Sequence, residues 1–181
     1  MKTLLARLDT LPAENLSGTE NIDRALAEGY LRTQLWEFQS NHFHRGNPCL
    51  YTGEAVFSII SLFLTDYAPV EERVLAAIDR MNSIPVLLMQ AQLNVRQAPQ
   101  PWIEHAIDEC VGALAFFNQG IDQLIKEYEI TDSRFKTSAI IAANAFEGYH
   151  SYLKNELSQH ASQDGYACGE EAYQLMMRYG H

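Results

Sequence analysis

The side chains that could do chemistry are six histidines, three cysteines and 23 acidic residues in a chain of 181. A zinc metallopeptidase helix needs two His one turn apart with a Glu between them as general base, His-Glu-x-x-His. No His-Glu dipeptide occurs in the chain. His42 and His44 are two residues apart, a spacing that sends them to different sides of a helix. Glu147-Gly148-Tyr149-His150 has the Glu-x-x-His spacing of di-iron four-helix bundles. Such a site needs a second copy of the motif and two more inward glutamates, and the chain holds no second Glu-x-x-His. Cys49 follows Pro48 shortly after His42 and His44, so a Cys/His nucleophile pair is conceivable there; a loop cysteine with incidental neighbours is the plainer reading. Glu104-His105-Ala106-Ile107-Asp108-Glu109 resembles a ligand cluster. There is no Gly-x-Ser-x-Gly elbow and no Gly-rich phosphate loop. Local reading therefore assigns no catalytic, cofactor-binding or metal residue.

The elements that would position these groups read as helices. Thr19 can cap a helix over about Glu20–Phe43, and Asn47-Pro48 breaks the chain after it. Thr52 can cap a helix to about Tyr67. Pro69 starts the next, with Glu71 and Glu72 in the turn where the helix dipole favours negative charge. Pro85 starts or kinks a further helix to about Val95, and Gln97–Pro101 reads as a linker. Helices over about Trp102–Tyr128, Asp132–His160 and Gly169–Tyr179 follow. No long alternating segment points to a hairpin, and the Asp-Gly pair of the chain lies in Ser162-Gln163-Asp164-Gly165, which reads as a loop between helices. The expectation is an all-α fold, a single helical domain over 1–181 built as a bundle of about six or seven helices.

At about 100° per residue, Ile103, Ala106, Ile107, Cys110, Leu114, Phe117, Ile121, Leu124 and Tyr128 form one stripe, the face of a helix laid on a core. His105 and Asp108 fall opposite it, on a solvated face. On the following helix the stripe is Ala142, Phe146, Tyr149, Leu153 and Leu157, and Glu147 lies about 130° from its middle. The Glu20–Phe43 helix has Ile22, Leu26, Gly29 and Trp36 on one side and Leu31, Leu35 and Phe38 nearly opposite. A helix apolar on two sides is interior, or it meets something outside the chain.

Thirteen Lys and Arg against 23 Asp and Glu leave a net charge of -10. That opposes binding of nucleic acid or of an anionic membrane surface. The longest apolar run, Ala55–Leu64 with two serines inside it, is ten residues, against about 20 for a spanning helix. The Met1–Asp9 segment is too short and too charged in its apolar part for a secretory signal. Cys49, Cys110 and Cys168 form no even framework and no Cys-x-x-Cys pair. They read as reduced thiols of a cytoplasmic protein.

A succession of motifs carries more information than any one of them. Asn21-Ile22-Asp23-Arg24-Ala25-Leu26 is followed by His44-Arg45-Gly46-Asn47-Pro48-Cys49-Leu50-Tyr51. Then come Asp66-Tyr67-Ala68-Pro69-Val70-Glu71-Glu72-Arg73 and Ala77-Ile78-Asp79-Arg80-Met81-Asn82-Ser83-Ile84-Pro85. Gln90-Ala91-Gln92-Leu93-Asn94, Pro101-Trp102 and Gly169-Glu170-Glu171-Ala172-Tyr173 complete the series. Together they resemble the bacterial family catalogued as domain of unknown function 885. The resemblance implies a largely helical fold and zinc-dependent peptidase character of the gluzincin type. It places the zinc site in the second half of much longer chains, in a His-Glu run ending in Pro-Gly-His that has no counterpart here. It therefore implies that this chain corresponds to an internal, helical N-terminal piece, inactive alone, with zinc belonging to the longer protein and no cofactor in this piece. Its expected partner is the remaining catalytic half, or a second copy in a dimer. The alternative is a stand-alone helical binding or scaffolding module without enzymatic activity.

Overall fold

The computed structural model describes residues 1–180, without the side chain of Ala13. Its helices are α1 (Lys2–Asp9), α2 (Gly18–Gln39), α3 (Pro48–Ile60), α4 (Val70–Asn94), α5 (Gln100–Ala115), α6 (Ile121–Glu127), α7 (Ser133–Asn155) and α8 (Glu170–Tyr179). A π-helical stretch, Phe116–Gly120, runs directly from α5 into α6. The described residues thus hold seven helical rods, and the all-α expectation is met. None of these helices is long and apolar enough to cross a membrane.

The boundaries correct the sequence reading in specific ways. Ser17, not Thr19, caps α2: its hydroxyl accepts from the Glu20 N–H while the Glu20 carboxylate accepts from the Ser17 N–H at 2.7 Å. This reciprocal pair satisfies two orphan donors, which Thr19, already the second residue of the helix, is not placed to do. The helix ends at Gln39, short of Phe43. Asn47, not Thr52, caps α3, with its side chain accepting from the Cys49 N–H and Pro48 in the first turn. Thr52 is consequently interior and fully buried, and the helix stops at Ile60 rather than Tyr67. The α4 helix runs through Pro85 without ending there. Ala98–Pro99 (β1), in the segment that reads as a linker, is buried and pairs in parallel with Ala161–Ser162 (β2).

The described residues form two compact units, Met1–Phe43 with residues 165–180 and His44–Asp164. In the first, α2 packs against α1 and α8. Gly29, the one buried residue of α2, permits the approach of α8, since a Cβ there would run into the Tyr179 carbonyl. Arg32, held by Glu28 at 2.8 Å, lays its guanidinium over the Tyr179 ring.

In the second unit α3, α4, α7 and α5 pack in a ring, each against the next, as a four-helix arrangement. Ile59, Met81, Ile84, Leu88, Ile103, Phe135, Phe146, Tyr149 and Leu153 fill its centre. The predicted stripe of α5 and α6 is on this core: Cys110, Phe117 and Ile121 are buried, and Ile107, Leu114, Leu124 and Tyr128 pack at its edge. Small residues at Ala77, Ala91, Ala106, Ala142 and Ala143 are buried where the rods meet. Arg73 is buried at one end, where its guanidinium contacts Asp66 at 2.9 Å, faces the Phe63 and Tyr128 rings and reaches the Leu62 carbonyl. This latch ties the end of the α3 segment to α4 and to Tyr128, whose hydroxyl donates to the Phe63 carbonyl.

Candidate functional site

The ring packing sets the N-terminal end of α3 against the first half of α5. The Asn47 cap and Pro48 fix Cys49 in the first turn of α3. Pro101 lies in the first turn of α5, and His105 and Glu109, four residues apart on that helix, share one face. Among the described residues, one set of three metal-ligating side chains converges: Cys49, His105 and Glu109, with donor atoms within 4.8 Å of one another.

The geometry around the set is ordered by hydrogen bonds. His105 Nε2 lies 3.5 Å from Glu109 Oε1. The buried Thr52 hydroxyl donates to Glu109 Oε2. Cys49 Sγ donates to the Trp102 carbonyl at 3.2 Å. Burial, and after it the Glu109 carboxylate, pushes the Cys49 thiol up to about 12. The same two causes push Cys110 up to about 12. Without a metal ion, Cys49 is therefore a neutral hydrogen-bond donor and no nucleophile at neutral pH. Thr52 and Glu109 also line a cleft of about 260 Å³ walled by Val56, Phe57 and Ile60 on α3 and Gly112 and Ala113 on α5.

The structure separates the groups that the sequence offers as pairs. Cys49 is part of a helix and turned toward α5, which removes it from the loop setting expected for it. The His44 carbonyl accepts from the Tyr51 hydroxyl, and the His42 ring lies 5.7 Å from that of Trp36. Glu147 is exposed on α7 and His150 half-buried, while Tyr149 between them is in the core. The Glu-x-x-His spacing therefore does not point into the four-helix interior. Asp108 is exposed, and the His105 side chain is 66% exposed, as the wheel requires of a solvated face. What the wheel misses is Glu109, which sits at the edge of that face and reaches toward α3. The His105-x-x-x-Glu109 spacing was visible in the sequence; the approach of Cys49 and Thr52, more than fifty positions away, was not.

A family model described as "Bacterial protein of unknown function (DUF885)" matches residues 1–181. Among solved structures, a suspected lipoprotein of unknown function from Shewanella oneidensis is similar at a TM-score of 0.80 and 23% identity. The match covers 98% of this chain and 33% of that one, so the chain spans a third of the length of this structural relative. At such identity the likeness is one of fold. No curated protein matches the chain.

Proposed function

Because the chain belongs to the bacterial family of unknown function DUF885, we propose that it supplies helical framework to a longer fold of zinc-dependent peptidase type and hydrolyses no peptide alone. The observation that carries this reading is the overlap: 98% of this chain lies on 33% of a larger chain. The peptidase character comes from the resemblance in the motif series, which assigns the zinc ligands to a His-Glu run and a Pro-Gly-His segment. The residues present here do not fit that centre. It requires two histidines and a glutamate as general base about one zinc-bound water, and this chain has no His-Glu dipeptide. His105 and His150 stand on different helices, α5 and α7, and the one converging ligand set among the described residues contains a single histidine.

In this reading the helices serve as walls. Ile22, Leu26 and Tyr30 stand exposed along α2 at 62%, 59% and 65%. With Tyr179 they line a cleft of about 520 Å³ that the remainder of the fold would fill. Apolar faces of this kind mark surfaces made to be covered. The test has two arms. The reading frame beyond residue 181 should continue into a His-Glu and Pro-Gly-His segment, and the longer product should cleave peptides only when zinc-loaded. A stop codon directly after the chain would overturn the proposal and favour a stand-alone binding module; peptide hydrolysis by the 181 residues themselves would overturn both readings.

A further inference from the structure

The geometry points to a zinc site on this chain formed by Cys49 Sγ of α3 and His105 and Glu109 of α5, a three-ligand set whose fourth position is left to water. This holds whether or not the longer fold is a peptidase.

The donor set is the first argument. A thiolate, an imidazole and a carboxylate are the three side-chain types that zinc accepts, at about 2.3 Å for sulfur and about 2.0–2.2 Å for nitrogen and oxygen. Two ligands at about 2.0 Å in a tetrahedral shell stand about 3.3 Å apart. His105 Nε2 and Glu109 Oε1 are already 3.5 Å apart. All three donors lie within 4.8 Å, so small side-chain rotations close the shell without moving either helix. A soft thiolate with one imidazole selects zinc over magnesium and calcium, which take oxygen ligands.

The surroundings supply the second argument. Ligating carboxylates are oriented by a hydrogen bond to the oxygen that does not bind metal. Thr52, 0% exposed, does this for Glu109 through Oε2 and leaves Oε1 turned to His105. Cys49 sits in the first turn of a capped, 13-residue helix, where the helix dipole favours a thiolate once a cation is present. Its present bond to the Trp102 carbonyl is the one given up on binding. The thiol proton leaves to solvent as the sulfur–zinc bond forms, so one proton is released from Cys49 for each ion bound. Three protein ligands with an exposed imidazole on one side leave room for an exchangeable fourth ligand. The apolar cleft lined by Thr52, Phe57 and Glu109 adjoins it.

The experiment uses the full 181-residue chain, reduced, stripped of metal and free of any affinity tag. Zinc is titrated against a chromophoric chelator, and cobalt(II) is added separately and read by absorption. One equivalent should bind, with a thiolate-to-cobalt charge-transfer band and the visible bands of a tetrahedral ion. Cys49→Ser should abolish the charge-transfer band. His105→Asn, at an exposed position, and Glu109→Gln should each weaken zinc binding at least about tenfold. Thr52→Val should weaken it about 10–100-fold while keeping the band. Cys110→Ala and Cys168→Ala should leave it unchanged. Absence of stoichiometric binding, a charge-transfer band that follows Cys168 or Cys110 rather than Cys49, zinc affinity unchanged in a folded His105→Asn variant, or equal competition by magnesium would each overturn the site.

Discussion

The buried hydroxyl of Thr52 on α3 donates to the Glu109 carboxylate on α5, joining two helices through residues 57 positions apart. The Cys49 carbonyl lies 3.2 Å from the same hydroxyl, which has one proton to give and gives it to the charged acceptor. Thr52 thus exchanges the role of a helix cap, which its sequence context suggests, for that of a cross-brace.

That brace should be measurable without any metal. Thr52→Val keeps the shape and removes the donor, and the loss is expected at about 1–2 kcal/mol, since a charged acceptor is left with fewer partners. Thr52→Ser, which keeps the hydroxyl, should lose less. Urea unfolding followed by circular dichroism measures both, and equal midpoints for Thr52→Val and wild type would show that water replaces the bond at no cost.

Phe117 tests the core. It is 3% exposed in the π-helical stretch, with its ring 5.7 Å from Phe146 and 5.1 Å from Phe116. Phe117→Ala should cost about 3–5 kcal/mol. A loss below about 1 kcal/mol in the same unfolding measurement would mean that the surrounding side chains collapse into the space.

These two residues mark how far the sequence could be read. The stripe through Cys110, Phe117 and Ile121 is a 3.6-residue period, and periodicity survives into three dimensions because it states which face must leave water. The caps were harder, because Ser17 and Thr19, or Asn47 and Thr52, offer competing hydroxyls and amides within a few residues. Reciprocal bonding with Glu20 decides the first and Pro48 the second. Thr52, Cys49 and Glu109 were beyond local reading. Their relation depends on the register of α3 against α5, which many apolar contacts set together and no single spacing records.

The α2 cap carries a pH dependence with a definite sign. Hydrogen bonds from Ser17, side chain first and backbone second, hold the Glu20 carboxyl below its usual value. A carboxyl depressed in the folded state contributes stability that is present above its unfolded pKa and is lost as pH falls through the folded value. Side-chain NMR titration should therefore show Glu20 titrating below an ordinary exposed glutamate. In Ser17→Ala it should return toward the ordinary carboxylate range, and α2 should fray at neutral pH. A normal Glu20 titration in the wild type would remove the capping box from the account of α2.

Thiol chemistry gives an independent check on burial. Burial first, then the nearby Glu109 carboxylate, pushes both Cys49 and Cys110 up to about 12. The thiolate is the reacting species, so both should resist alkylation at pH 7–8. Cys168, half-exposed near the start of α8, should be modified first. Mass spectrometry of iodoacetamide-treated protein, digested at intervals, reads the order directly. Cys49 labelled as fast as Cys168 would show that its seat against Trp102 opens readily.

The apolar face of α2 leads to the last expectation, self-association of the isolated chain. The sequence places the outward risk on Leu31, Leu35 and Phe38, with Met176 and Met177 as a second patch. The structure half-buries Leu31, Leu35 and Met176, and leaves Phe38 and Met177 exposed together with Ile22, Leu26 and Tyr30. Each 100 Å² of such surface removed from water is worth at most about 2.5 kcal/mol. A two-fold dimer covers the same patch on both copies at once. The net charge of -10 opposes contact only weakly at physiological salt, where screening acts within about 8 Å. Sedimentation of the wild type should therefore show mass rising with concentration, and an Ile22→Glu, Leu26→Glu variant with unchanged helicity should stay monomeric. A Leu31→Glu, Leu35→Glu variant should instead lose helicity, because those positions are packed. A wild type that remains monomeric at high concentration would mean that this face tolerates water and needs no covering, which would also weaken its assignment as a wall against the rest of a longer fold.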